Sequence, residues 1–172
     1  MLFLICGQDG WYDGTHTGCT GATLLGYECT GYRLLTEAEW ERAARAGTVT
    51  ATYRGDLSGT VDGCTFAQAN LDPIAWWCRI SGDRTGQVET REPNAWGLYD
   101  MLGNVGEWTW DTYSPTLLGG TNPTGPSEGS RIVVRGGYWS VNARGARAAY
   151  RPRSTPTIRN YSDGFRLART LP

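Results

Sequence analysis

Most of this chain lacks a long-range period of apolar and polar positions, and only a few stretches predict regular elements. The clearest begins at Thr36-Glu37-Ala38-Glu39, a capping box in which the Thr36 hydroxyl accepts from the Glu39 amide and the Glu39 carboxylate reaches back to the Thr36 amide. The Trp40, Ala43, Ala44 stripe that follows, with a stop at Gly47, predicts a helix. Ile132-Val133-Val134 predicts a buried strand, and Gly164-Phe165-Arg166-Leu167-Ala168 a final alternating strand. The apolar run from Met1 to Cys6 is too short for a leader or a membrane span and predicts a strand.

Between these lie turn-rich segments. Gly7–Gly31 is rich in Gly and Thr, Leu117–Ser130 in Gly, Pro, Thr and Ser, and residues 48–88 are irregular, with a hairpin expected near Thr50–Tyr53 and the Trp76-Trp77 pair expected to pack inward. No internal repeat is evident. At 172 residues the length fits one domain, residues 1–172, large enough to bury a single core. With 24 Gly and 8 Trp, the chain fits a loop-rich fold whose core is built from large aromatic side chains better than a helical protein.

Charge changes the picture in one region. All 16 basic residues are Arg, and nine of them fall between Arg131 and Arg169 against a single acid, Asp163. These arginines alternate with small and apolar residues and form no run. They therefore suit a structural network of bidentate pairs, with Arg135, Arg147, Arg151 and Arg166 in the frame, and no nucleic-acid partner is expected. No segment approaches membrane-span length.

The five cysteines are Cys6, Cys19, Cys29, Cys64 and Cys78. Pairing Cys19 with Cys29 and Cys64 with Cys78 would close two short loops, leave Cys6 over and suit an oxidising, extracellular or cell-surface setting; the alternative is that all five are reduced. Their spacings match no zinc pattern.

Four ordered motifs carry a resemblance. They are Gly31-Tyr32-Arg33-Leu34-Leu35-Thr36-Glu37-Ala38-Glu39-Trp40-Glu41, then Pro93-Asn94-Ala95-Trp96-Gly97-Leu98-Tyr99-Asp100-Met101-Leu102-Gly103-Asn104-Val105-Gly106-Glu107-Trp108, then Arg135-Gly136-Gly137-Tyr138-Trp139, and Gly164-Phe165-Arg166-Leu167. Across residues 31–169 the chain resembles the formylglycine-generating enzyme family, also called the sulfatase-modifying factor domain. That resemblance implies an α+β domain of modified C-type lectin fold, loop-rich with little regular secondary structure. It departs from the family at Gly106, where Trp is usual, and at Leu35, where Pro is common; the missing plate at Gly106 leaves either a gap or a place for another side chain.

The family's chemistry is not matched. Its enzymes oxidise a substrate cysteine with copper held by two cysteines just after a Gly-Gly-Ser motif, because copper(I) needs soft thiolate ligands. Here the run is Gly136-Gly137-Tyr138-Trp139-Ser140-Val141-Asn142, and no cysteine follows Cys78, so no copper and no oxidase activity are expected. The iron-dependent sulfoxide-synthase branch needs several histidines, and this chain has only His16. Calcium is the cofactor the resemblance does imply, at Asp100, the carbonyls of Gly103 and Val105, and Glu107, with a second set drawing on Asn70 and the carbonyl of Leu71. The alternative is that these groups are hydrogen-bonded within the protein, Asp100 and Glu107 accepting from nearby Arg or Trp.

The resemblance also extends to non-catalytic relatives, the variable proteins of diversity-generating retroelements. In these, randomised template adenines turn Asn codons into a broad set that excludes Lys, Glu, Gln, Met and Trp. Residues 138–163 lack all of these except Trp139, which belongs to the family frame. The positions implied to vary within the 131–169 segment are Tyr138, Ser140, Val141, Asn142, Gly145, Thr157, Ile158, Asn160, Tyr161 and Ser162. Tyr, Ser, Asn and Gly are also favoured in antibody loops, where Tyr gives rigid amphipathic contact and the others adapt. The function this implies is display of a binding surface toward a protein or glycan at a cell surface. The alternatives are an ordinary lectin-like binding domain, and a formylglycine-generating enzyme or its inactive paralogue.

Overall fold

A computed structural model describes residues 31–169. Cys6, Cys19, Cys29, His16 and the strand expected at Met1–Cys6 lie outside the described residues. Strand β1 (Tyr32–Leu34) runs into helix α1 (Glu37–Arg45) through the predicted cap. The Thr36 hydroxyl accepts from the Glu39 N–H at 3.2 Å, and the Glu39 carboxylate accepts from the Thr36 N–H at 2.9 Å. The Arg33 guanidinium clasps the same carboxylate at 2.6 and 2.7 Å. At the other end Ala46 already adopts the left-handed conformation (φ 46°), so the stop is shared between Ala46 and Gly47.

Four strands form the main sheet, in the order β4 (Arg153–Ser154), β3 (Ile132–Arg135), β2 (Gly106–Thr112), β5 (Asp163–Phe165). The β2–β5 pair is parallel and the other two are antiparallel. β6 (Leu167–Arg169) leaves this sheet to pair antiparallel with β1. The single strand expected over Gly164–Ala168 is therefore two, because Arg166 turns between them to meet Glu107 at 2.8 Å and the Tyr99 carbonyl at 2.9 Å.

β2 buries its polar alternation. Glu107, Thr109 and Asp111 face inward, while Trp108 and Trp110 are only half-buried. Each inward group has a partner from another element, as a buried polar atom requires. Glu107 accepts from the Trp40 indole N–H at 2.6 Å and from Arg166; the Thr109 hydroxyl donates to the Val133 carbonyl at 3.0 Å. Asp111 accepts from the Glu37 N–H at 2.6 Å and the Gly125 N–H at 2.5 Å, tying α1 to the loop after β2.

The apolar core gathers Trp40, Leu71, Ile74, Trp77, Met101 and Leu102, with Val133 and Val134 buried from β3. The tryptophan pair divides: Trp77 is fully buried, while Trp76 is half-buried under the Arg91 guanidinium, 3.8 Å from its ring. The hairpin expected near Thr50–Tyr53 is reduced to one bridge between Thr52 and Gly55. Cys64 and Cys78 are joined in a disulfide with 5.4 Å between Cα atoms.

Candidate ligand-binding surface

The C-terminal segment rises from β3 on two glycines. At Gly137 (φ +70°) an added Cβ would lie 2.2 Å from the Gly145 carbonyl oxygen, so only glycine lets residues 137 and 145 approach. A 3₁₀ turn, Ala143–Ala146, follows, capped by the Asn142 side chain, which accepts from the Gly145 N–H at 3.1 Å. Backbone bonds anchor this arch below. The Trp139 N–H donates to the Asn104 carbonyl at 2.9 Å, and the Cys78 N–H to the Val141 carbonyl at 3.0 Å. Arg144 and Ala148 donate to Val61 and Ala51 at 3.1 and 2.9 Å.

The arginines hold the frame as expected. Arg135 is wholly buried and donates to Glu37, Glu41 and the carbonyls of Tyr150 and Ala148. Burial pulls its pKa down, and Glu41 and Glu37 oppose that pull. Arg151 shares Glu37, its other N–H reaching the Ser114 carbonyl, and Arg147 donates to the Arg144 carbonyl at 2.9 Å.

On this frame Ser140, Thr157, Ile158, Asn160 and Tyr161 are exposed, Tyr161 to 81%, and Tyr138 and Asn142 are half-buried. Val141, Gly145 and Ser162 are not open positions. Val141 joins the core cluster, a Cβ on Gly145 would press within 2.8 Å of Val141 Cβ, and Ser162 is buried with its carbonyl accepting from the Gly106 N–H at 2.7 Å.

Two residues that the sequence reading left out of the surface belong to it. The Trp139 and Tyr161 rings lie 5.8 Å apart, tilted by 32°. Asp163 flanks Tyr138: burial pushes the Tyr138 hydroxyl up, and Tyr150, Asp163 and Tyr161 add to the effect. Burial likewise pushes the Asp163 carboxyl up. The signal for Asp163 was present in the sequence as the lone acid of an arginine-rich segment. The place of the missing tryptophan at Gly106 is filled, since a Cβ there would meet Val134 at 2.8 Å and the Asp163 carboxylate at 3.5 Å.

Several of the groups implied for calcium are hydrogen-bonded within the protein. Glu107 accepts from Trp40 and Arg166 N–H groups with both its oxygens, as the hydrogen-bonded alternative has it. Asp100 accepts from the Glu89 N–H at 2.9 Å with one oxygen, its other oxygen being buried without a partner. Gly103 is held by its N–H to the Gly136 carbonyl, while Val105 is half-buried beside Gly164. In the second set the Asn70 amide donates to the Asp56 carbonyl, and the Leu71 carbonyl accepts from Ile74 and Ala75. Among the described residues no three His, Cys, Asp or Glu side chains gather as metal ligands.

A separate cavity of about 360 Å³ lies between α1, the end of β2 and the 117–126 loop, and of the C-terminal segment only Arg151 lines it. No helix among the described residues is long and apolar enough to cross a membrane.

The model of the sulfatase-modifying factor enzyme 1-like domain matches residues 10–171. The chain belongs to this family. Among solved structures it is similar to Treponema denticola variable protein 1, with a TM-score of 0.72 and 38% identity, covering 84% of this chain and 49% of that one. PvdO from Pseudomonas aeruginosa matches with a TM-score of 0.66 and 30% identity, covering 81% of this chain and 53% of that one. In sequence the domain is 35% identical over 147 residues to the formylglycine-generating enzyme of Streptomyces coelicolor, covering 80% of this chain and 46% of the enzyme. It is also 34% identical over 160 residues to the serine/threonine-protein kinase pkn1 of Chlamydia pneumoniae, covering 90% of this chain and 24% of the kinase. The chain thus spans about a quarter to a half of these relatives. The shared fold is the loop-rich, modified C-type lectin architecture that the motifs implied.

Proposed function

We propose that this domain is a non-enzymatic binding module that displays side chains between Tyr138 and Ser162, as the variable protein of a diversity-generating retroelement. The observation that carries this reading is the division of labour in the C-terminal segment. Buried Arg135, Gly137, Val141, Gly145 and Ala148 hold the backbone, while the exposed side chains of Ser140, Thr157, Ile158 and Tyr161 contribute no hydrogen bond to that frame. Such side chains can change identity at little cost to folding. Similarity to a protein named a variable protein supports the reading. The partner class is a protein or glycan, and the Cys64–Cys78 disulfide favours an extracellular or cell-surface setting.

The formylglycine-generating reading would need a pair of thiolates after Gly136-Gly137, and no cysteine stands there. Cys64 and Cys78 are bonded to each other, so they supply no thiolate for copper. The test of the proposal is to sequence the DNA flanking the gene. A near-copy of the segment coding for Arg131–Arg169, differing at template adenines and lying beside a reverse transcriptase gene, is the expected result; its absence would reduce the display to an ordinary binding surface.

A further inference from the structure

The segment 131–169 carries nine arginines and one acid, yet none of those arginines neutralises that acid. Arg135, Arg144, Arg151 and Arg166 are committed to Glu37 and Glu41, to Asp62, to Glu37 and to Glu107 respectively. Asp163 is half-buried in β5, its side chain joins no ion pair or hydrogen bond among the described residues, and only burial perturbs it. A half-buried carboxylate without a partner bears a desolvation cost that an incoming cation would relieve. Gly106 lies beside it, where a Cβ would stand in ordinary contact with the Asp163 carboxylate oxygen at 3.5 Å.

Tyr161 precedes this carboxylate by two residues and carries the aromatic pair of the segment. Tyr138 lies within electrostatic reach of Asp163, Tyr150 and Tyr161, and Tyr161 is paired with Trp139 at 5.8 Å. Indole and phenol faces attract cations through their quadrupoles, most strongly for Trp, and a guanidinium can stack on them while donating to a carboxylate. This combination of electron-rich faces with one unneutralised carboxylate selects for positive charge, whereas a neutral sugar would gain only the stacking.

We propose that Tyr138, Trp139, Tyr161 and Asp163 form a receptor for an organic cation, a guanidinium or alkylammonium group carried by a side chain of a protein partner. This inference rests on the reading of the 138–162 face as the binding surface and narrows its ligand class. It uses Asp163, which lies just past the displayed positions, as a fixed anchor beneath changeable neighbours.

The test is titration of the ¹⁵N-labelled full chain with N-acetyl-arginine amide and with its neutral isostere N-acetyl-citrulline amide, followed by amide and indole N–H shifts. The expected result is saturable shifts confined to the Trp139 indole and the backbone of residues 138–163, with the citrulline compound weaker by about tenfold. Asp163→Asn and Tyr161→Ala should each weaken arginine binding by about fivefold or more, while Glu128→Gln, which removes an exposed charge elsewhere, should not. Tyr161→Ala keeps the test decisive if Asp163→Asn disturbs β5, because Tyr161 is 81% exposed. Equal binding of the citrulline compound, a neutral sugar bound equally by wild type and Asp163→Asn in place of the arginine compound, shifts elsewhere or no saturation would each overturn the proposal. Loss of the cation site with the template copy found leaves the diversified display standing; an Asp163-dependent cation site with no template does the reverse.

Discussion

Replacing Arg135 by alanine removes a guanidinium that no solvent reaches and that donates to four acceptors on two segments, α1 and residues 148–150. Glu37 would keep Arg151 and Glu41 would keep Arg45, so neither carboxylate is left without a cation. The Ala148 and Tyr150 carbonyls lose their guanidinium donors, at about 1–3 kcal/mol each where water does not replace them. The Trp40 ring loses a cation 5.0 Å from its centroid. The two carbonyls and the ring together set the expected loss at about 3–5 kcal/mol. That is a large part of a typical total of about 5–15 kcal/mol. Urea unfolding followed by tryptophan fluorescence and far-UV circular dichroism measures it. The midpoint should fall by about 1.5–5 M at unchanged slope, for a slope of about 1–2 kcal/mol per M. Arg135→Lys should recover only part of the loss, since an ammonium cannot fork to four acceptors. A loss under about 1 kcal/mol, or a lysine variant as stable as wild type, would refute the view of Arg135 as the frame's central clasp.

Other positions separate frame from display. Tyr161→Ala should change stability by no more than about 0.5 kcal/mol in the same urea assay; a loss near that of Arg135→Ala would make Tyr161 structural. Gly145→Ser should cost about 1–3 kcal/mol because its Cβ meets Val141 at 2.8 Å, and a neutral result would contradict the burial of that arch. The Cys64→Ser, Cys78→Ser double variant should lose about 3 kcal/mol from opening a short loop, with thiol labelling of wild type before and after reduction confirming the bond. Burial pushes the Glu39 carboxyl up, but the Arg33 and Thr36 hydrogen bonds outweigh it and hold the pKa below its ordinary 4.5. The folded pKa is then the lower one, so Glu39's contribution is fully present above pH 4.5 and is lost as the pH falls through the folded value. Glu39→Gln should flatten the acid-side loss of stability in that window, and an equally steep profile would count against the Arg33–Glu39 clasp.

Local chemistry was readable where it acts over a few residues. The Thr36–Glu39 box announces α1 because both partners sit within one turn. The structural role of the C-terminal arginines was legible from their alternation with small residues, although their partners Glu37, Glu41 and Glu107 lie far away in sequence. What the sequence hid is depth within irregular backbone. Val141, Gly145 and Ser162 sit among accessible residues with no period to separate inside from outside, and only the packing of the arch shows that they point inward. β2 misleads in the opposite sense: its tryptophans suggest a core face, yet Glu107, Thr109 and Asp111 turn inward because each finds a distant donor or acceptor. The split of the last strand depends on the same long-range pairing, Arg166 leaving the sheet to reach Glu107.

The central claim is that a fixed frame carries changeable side chains, and sequencing this gene from many descendants of one lineage tests it most directly. The account predicts substitutions concentrated at Tyr138, Ser140, Asn142, Thr157, Ile158, Asn160 and Tyr161, with Arg135, Gly137, Val141, Gly145, Ser162 and Asp163 unchanged. Substitutions spread evenly through the chain, or falling on the buried arch as often as on the exposed positions, would contradict it.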